Sequence, residues 1–437
     1  MTVSSLAIEI IQVLRDRGHR AYFVGGCVRD RLLGGNPKDY DIATNAHPDE
    51  VLRYFPKTEK VGAHFGVVLV RGAPGVCVEV ATFRSDHSYS DGRRPDRVEF
   101  ETDPRQDVLR RDFTINALLE DPITGEIFDY VDGRRDLQEK LVRAIGDPLR
   151  RFKEDRLRMF RAVRFAARLG FEIEEQTFAA IRQLAPLTHN IAAERVRDEL
   201  TRILTEGGAR RGFEMLDRSG LLAEVLPEVK AMQGVAQPPQ FHPEGDVWTH
   251  TLLMLGKLDH PSPTLAMGVL LHDVGKPPTF KVAERIRFDG HVEAGVEIGA
   301  RILDRLKFSR DDSDQILALI SNHMRFKDVQ DMRESTLKRF LRLPRFDEHL
   351  ELNRLDCLSS HGRLDSWEFV NHKRATLPAE EIRPPRLLTG QDLIAEGFEP
   401  GPAFGKALEE IETAQLEGQI GTREEALRIA RAVLTKP

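Results

Sequence analysis

The apolar and polar positions change their rhythm twice along the chain. Residues 1–20 carry apolar side chains at helical spacing and predict a lead-in helix. Ala21–Val24 is a short apolar run that reads as a buried strand. The Gly25-Gly26 pair follows, where the missing Cβ lets backbone come close to a ligand. VRDRLLG is a short helical pattern ended by Gly34-Gly35 and broken by Asn36-Pro37. Strand signals then recur in DYDIAT, HFGVVLVRG, VCVEVATFR, RVEFE and EIFDYVDG, so residues 21–130 are expected to form an α/β segment on one mixed sheet. SDHSYSDGRRPD between two of these strands reads as a long polar loop. Its Tyr89, Arg93 and Arg94 are suited to touch nucleic acid, or the segment is a long hairpin loop with no task of its own.

From about residue 134 helical spacing takes over. KEDRLRMFRAVRFAARLG predicts one helix, with Asp155, Arg158, Arg161, Arg164 and Arg168 on one side and Met159, Phe160, Val163 and Ala167 on the other. The Pro/Gly-rich QGVAQPPQFHPEGD marks a boundary near 231–246, and a Gly-Pro turn separates amphipathic helices in the tail. The expected division is 1–133, 134–230, 231–365 and 366–437. The fold class expected is α+β, a mixed-sheet head followed by all-helical segments.

Composition narrows the classes. The 437 residues are 41% apolar and 31% charged, with a mean hydropathy of −0.37. No run of about 18 apolar residues occurs, so no membrane span is expected. The first residues lack the basic and apolar regions of a secretory leader, and the three cysteines are scattered; both point to the cytoplasm. Net charge is −6, yet residues 134–168 hold 12 Lys/Arg against 5 Asp/Glu. Such a local excess can seat a phosphate backbone, or it is a solvated helix face.

Asp39 and Asp41 stand at i and i+2, which in a strand share a face. Paired carboxylates call for a cation between them, and Mg²⁺ with its preference for oxygen ligands and substrate phosphates suits them. Glu79 in VCVEVATFR either adds a third carboxylate or is a surface strand residue. Arg110-Arg111-Asp112 are read as opening a short helix with Asn116 one turn on, a place where guanidinium groups can hold phosphate oxygens. Asp155 and Arg158 one turn apart either match the hydrogen-bonding edge of a base or form an ordinary ion pair. Beyond residue 240 the series His242, His250, His272-Asp273, His291, His323 and Asp356 suits a divalent or dinuclear hydrolytic centre.

These motifs in this order resemble one family: GGCVRD with DYDIAT, EVATFRSDHSYSDGRRPDRVEF, RRDFTINAL, EDRLR, ERVRDE, and then THTLLML, HDVGK, GH, NH and a late Asp. The chain resembles the bacterial class II tRNA nucleotidyltransferase/poly(A) polymerase family with an HD domain. The resemblance implies a polymerase-β-like head, with neck, HD domain and tail. It implies tRNA, ATP and CTP as partners, Mg²⁺ at the transferase site and a divalent metal at the HD site. Asp39 and Asp41 would hold Mg²⁺ and activate the tRNA 3′-hydroxyl, with Glu79 assisting. Gly25, Gly26, Arg29 and Arg111 would cradle the triphosphate, with Asp112 and Asn116 near the sugar or bracing the loop. Asp155 and Arg158 would read the incoming base, with Arg161 supporting the triphosphate or that pair. Glu194, Arg195 and Glu199 would steady the surrounding fold. His250, His272, Asp273 and Asp356 would hold the HD metal, with His291 and His323 available for a second. Addition of the terminal A alone, poly(A) synthesis, or HD hydrolysis beside an inactive transferase half are the alternatives.

Overall fold

The computed structural model describes residues 2–59, 66–87, 97–240 and 242–434. Tyr89, Arg93 and Arg94 lie outside the described residues. The chain forms two compact units, Met1–Lys230 and Ala231–Pro437.

In the first unit the strands are β1 (Ala21–Val24), β2 (Asp41–Thr44), β3 (Thr58–Glu59), β4 (Val67–Arg71), β5 (Cys77–Thr82), β6 (Arg84–His87), β7 (Arg97–Phe100), β8 (Leu119–Glu120) and β9 (Ile127–Phe128). A mixed sheet runs in the order β3-β4-β5-β2-β1-β8-β9. β2 and β5 are parallel, and the other neighbours are antiparallel. The expectation of one sheet is corrected by β6 and β7, which pair as a separate ribbon. Phe83 makes the break. Its buried N–H donates to Thr44 O (2.6 Å), and its carbonyl accepts from Glu101 N (2.8 Å). The lead-in helix Val3–Arg15 buries Leu6, Ala7, Ile10, Ile11 and Leu14 against β1, β2 and β5. Burial of such a stripe is what holds a helix of this length.

The part beyond residue 134 is mainly helical but not wholly so. Leu141–Val142 and Glu172–Ile173 form a short parallel pair, and Lys281–Val282 and Ile286–Arg287 form a hairpin in the second unit. The single helix expected across Asp155 is also corrected. One helix, Pro148–Glu154, ends at Asp155, which is extended (φ −144°, ψ 106°), and another, Arg158–Leu169, follows. The Asp155 carboxylate accepts from Leu157 N (3.1 Å), a local bond that competes with continuing the helix.

In the second unit the helices Val247–Leu255 and Pro263–Leu271 are buried almost all round, which explains their unbroken apolar runs. Gly275 sits where any Cβ would collide with His291 O and Gly295 N. Its bareness lets the HDVGK turn press on the helix His291–Arg305. The later helices close on two further cores, one around Phe340 and Phe346 and one around Leu393 and Ile411.

Candidate active sites in the two units

In the first unit the end of β1 is fixed by Gly25, at φ +80° and ψ −131°, a conformation open to glycine. A Cβ placed there would stand 3.6 Å from Arg111 Nη1 and 4.0 Å from Asp41 Oδ2. The turn, a guanidinium and a carboxylate therefore converge. Asp39 precedes β2 rather than lying in it, but the alternation survives. Tyr40 is buried on Phe23 (ring centroids 5.0 Å apart), and Asp39 and Asp41 are exposed on either side of it. Glu79 is the register partner of Asp41 on the parallel neighbour, so both side chains leave the same face. Protein packed around Asp41, then Glu79 and Asp39, push its carboxyl up to about 6, with Arg111 opposing. Three acids crowd one edge, the arrangement a divalent cation relieves.

A chain of hydrogen bonds runs behind this edge. Arg29 is buried and donates to Asp30 (2.8 Å) and Asn116 Oδ1 (2.5 Å), with its guanidinium over Phe165. Asn116 donates to Asp112 Oδ1 (3.2 Å), and Arg161 donates to Asp112 Oδ2 (2.8 Å). Burial would raise Asp112, but Arg161 and Arg158 hold it down at about 2. Arg29 and Arg161 are thus committed to protein partners. Arg110 and Arg111 do not open a helix. They close one, Pro104–Leu109, and both chelate the buried Asp107 (2.6 and 2.9 Å). Asp107 is a positioning group the sequence reading missed; DVLRR, an acid three and four residues before two arginines, was its signal.

Asp155 and Arg158 do not pair with each other. Arg195 grips Asp155 through two parallel bonds (3.1 and 2.8 Å), and Arg158 bonds Glu154 (3.1 Å) and the Arg110 carbonyl (3.2 Å). Arg164, expected on the polar side, is buried between Glu199 (2.8 Å) and Glu206 (3.1 Å). Most guanidinium groups of 134–168 are engaged in this way, so the local charge excess does not form one open basic face.

The second unit gathers its histidines. Ring centroids run His242–His250 5.0 Å, His250–His272 5.5 Å, His272–His323 5.4 Å and His323–His291 5.5 Å. Ligand atoms of His250, His272 and Asp273 lie within 4.8 Å of one another, as do those of Asp273, His291 and His323. Asp356 Oδ1 is 3.1 Å from His250 Nε2. Nδ1 of His272, His291 and His323 each bonds the carbonyl three residues earlier (2.9, 2.9 and 2.7 Å). The Nε2 atoms of His291 and His323 are buried without a hydrogen bond, and those of His272 and His250 face the carboxylates of Asp273 and Asp356, each at 3.1 Å. Burial pulls His323 down to about 4, and against burial His272 and Lys276 hold Asp273 well below the carboxylate range. Against burial, Asp356 and Glu244 push His250 up to about 9, so two carboxylates hold its proton until a cation displaces it. Imidazoles and an ionised carboxylate turned on one point are the donor set of a transition-metal centre. Lys276, Glu244 and Gln237 were not singled out from sequence. Lys276 bonds Asp273 and Gln237 (both 2.6 Å). A cavity of about 730 Å³ opens on this cluster, with Lys276, Phe288 and Asn353 among its walls.

Comparison with known proteins decides the family. Residues 21–143 match the model of the Poly A polymerase head domain, 170–233 that of the probable RNA and SrmB-binding site of polymerase A, and 246–354 that of the HD domain. A CCA-adding enzyme of Lactobacillus johnsonii is 32% identical over 97% of this chain and 96% of its own length. The chain belongs to the CCA-adding enzyme family. It is a nucleotidyltransferase that carries an HD domain. A CCA-adding enzyme of Streptococcus pneumoniae is 31% identical over 96% of this chain and 95% of its own. The crystal structure of the Bacillus stearothermophilus CCA-adding enzyme in complex with CTP matches with a TM-score of 0.74 at 28% identity, covering 99% of this chain and 98% of that one. Among the described residues of this family member, no helix is long and apolar enough to cross a membrane.

Proposed function

We propose that this chain completes the tRNA 3′ end, adding C, C and A from CTP and ATP without a nucleic-acid template. The observation that carries the reading is the meeting of Asp39, Asp41 and Glu79 with the Gly25 turn and Arg111. The three carboxylates fit Mg²⁺ by donor type and by their mutual repulsion. A cation bound there supplies positive charge for the attacking and leaving oxygens. The chain's own groups do the rest. Gly25 and Gly26 leave room for the triphosphate, and Arg111, held by Asp107, faces it. Arg29, Asn116, Asp112 and Arg161 keep that wall rigid. Asp155 and Arg158, each held by a separate partner, present a carboxylate and a guanidinium to the base. The 3′-oxygen attacks the α-phosphorus, and the bond to pyrophosphate breaks. Positioning supplies much of the acceleration.

The segments 1–133, 134–230, 231–365 and 366–437 act in this reading as head, neck, HD domain and tail, with the tail gripping tRNA by shape and phosphate contacts. The convergence of buried imidazole nitrogens and carboxylates favours a second activity, metal-dependent phosphohydrolysis at His250, His272, Asp273, Asp356, His291 and His323.

The test is incorporation on two tRNA transcripts, one ending at the discriminator base and one at CC, with CTP and ATP. Extension of both to CCA supports the proposal. Extension of the CC-ended transcript alone makes the chain an A-adding enzyme. Long A tails move it to poly(A) synthesis, and no extension removes the transferase reading.

A further inference from the structure

His250, His272, His291 and His323 turn Nε2 into the cluster but do not hold their other nitrogen in the same way. His272 and His323 follow directly on the last residues of Pro263–Leu271 and Arg310–Asn322, where the last carbonyls lack partners within the helix. His291 starts its helix and uses Phe288 O from the preceding loop. His250 has no such carbonyl. It lies in the first turn of Val247–Leu255, the end at which free N–H groups, not carbonyls, are exposed. The carbonyls before it are in use, Asp246 O by His250 N (3.1 Å) and Val247 O by Thr251 Oγ1 (2.9 Å). A side chain takes the place of the missing acceptor. Glu244 Oε1 receives His250 Nδ1–H at 2.7 Å, and the same oxygen bonds His242 Nδ1 at 2.9 Å. His250 is fully buried, and Glu244 nearly so.

We infer that Glu244 is the positioning carboxylate of the HD metal centre: it fixes His250 in the tautomer whose Nε2 faces the metal. A buried carboxylate behind an imidazole also adds negative charge to the ligand, which a backbone carbonyl does not. The subsite of His250, His272 and Asp273 is thereby made more electron-rich than that of Asp273, His291 and His323. His242 is the outer member of the relay. It lines the cavity, shares Glu244 and packs edge-on against the His250 ring (centroids 5.0 Å apart). This inference rests on the reading of the histidine cluster as a metal centre, and the experiment separates the two.

The full chain, carrying Asp39→Ala and Asp41→Ala so that the head carboxylates do not compete, is titrated with Mn²⁺ by calorimetry, and Co²⁺ is added as a spectroscopic probe. Glu244→Ala and Glu244→Gln are compared in that background. Glu244→Ala is expected to weaken Mn²⁺ binding about 10- to 100-fold. Glu244→Gln, which keeps an acceptor but loses the charge, is expected to fall between. The Co²⁺ ligand-field bands are expected to shift in both; the metal-free Glu244→Ala protein is expected to unfold at a lower temperature, since it strands the buried His250 Nδ1–H, and Glu244→Gln to lose less. His242→Gln leaves the His250–Glu244 bond in place and is expected to keep Mn²⁺ affinity within about 3-fold. Should Glu244→Ala not fold, Glu244→Gln carries the test. Unchanged affinity and unchanged Co²⁺ bands in the Glu244 variants overturn the inference, and so does an equal loss in His242→Gln. Absence of Mn²⁺ and Co²⁺ binding before any Glu244 change overturns the metal centre itself.

Discussion

Asp41 on β2 and Glu79 on β5 stand directly across from each other on neighbouring parallel strands. Asp41 is pushed up to about 6 by its surroundings and by Glu79, with Arg111 opposing. A carboxyl whose pKa rises on folding binds more protons folded than unfolded, so stability is lost as pH rises through about 4 to 6. Replacing Glu79 by Gln should lower that pKa. In divalent-free buffer above pH 6 the variant is expected to melt at a higher temperature than the parent. Below pH 4 the two are expected to coincide, and salt should shrink the difference. The same change should cut nucleotide incorporation about 10- to 100-fold. Calorimetry over pH and single-turnover incorporation check the two halves. A variant as active as the parent removes Glu79 from the site.

Arg195 holds Asp155 by two parallel bonds. Arg195→Ala should therefore act on selectivity more than on stability. Misplacing the Asp155 carboxylate is expected to cost about 1–3 kcal/mol of discrimination, so UTP and GTP should gain roughly 10- to 100-fold relative to CTP and ATP. Competition between nucleotides in single-addition assays measures this. A uniform loss for all four nucleotides would instead mean that Asp155 does not face the base.

The parts of this architecture that follow from local rules were legible in the chain. The apolar run before Gly25-Gly26, the alternation around Tyr40 and the helical stripe at 3–15 each report burial of one face, and the structure has them. The order of motifs pointed to the family. Other features depend on partners remote in sequence. Nothing near Asp155 announces Arg195, forty residues on. The helix break at Asp155 rests on one bond to Leu157 N, which helical periodicity cannot show. The charge excess of 134–168 was visible, but its neutralisation by Asp112, Glu199, Glu206 and Asp30 is tertiary. Glu244 was hidden because HPEGD reads as a turn until His250 is placed beside it.

Asp112 ties the first unit's network to pH. Its carboxyl is held at about 2 by Arg161 and Arg158, below the unfolded value of 3.8. A depressed carboxylate contributes stability that is full above about 4 and is lost as pH falls towards 2. The shift corresponds to about 2 kcal/mol at neutral pH. Asp112→Asn should forfeit about that much at pH 7, and the gap to the parent should close as pH falls from 4 to 2. Urea unfolding followed by a probe in the first unit measures it. A gap that persists at pH 2 would assign the cost to packing instead of charge.

The two candidate centres draw on separate residues, so they should fail separately. Asp273 belongs to two of the three ligand groups of the histidine cluster, and its replacement by Asn removes a negative donor from each of the two. Any hydrolysis of bis(p-nitrophenyl) phosphate or p-nitrophenyl phosphate with Mn²⁺ or Co²⁺ is expected to fall on the order of 10²-fold or more. CCA addition to tRNA by the same variant is expected to remain near the parent's rate. Asp39→Ala with Asp41→Ala should do the reverse, abolishing addition and sparing hydrolysis. If either change removes both activities while the chain stays folded, the centres are coupled, and the assignment of one chemistry to each fails.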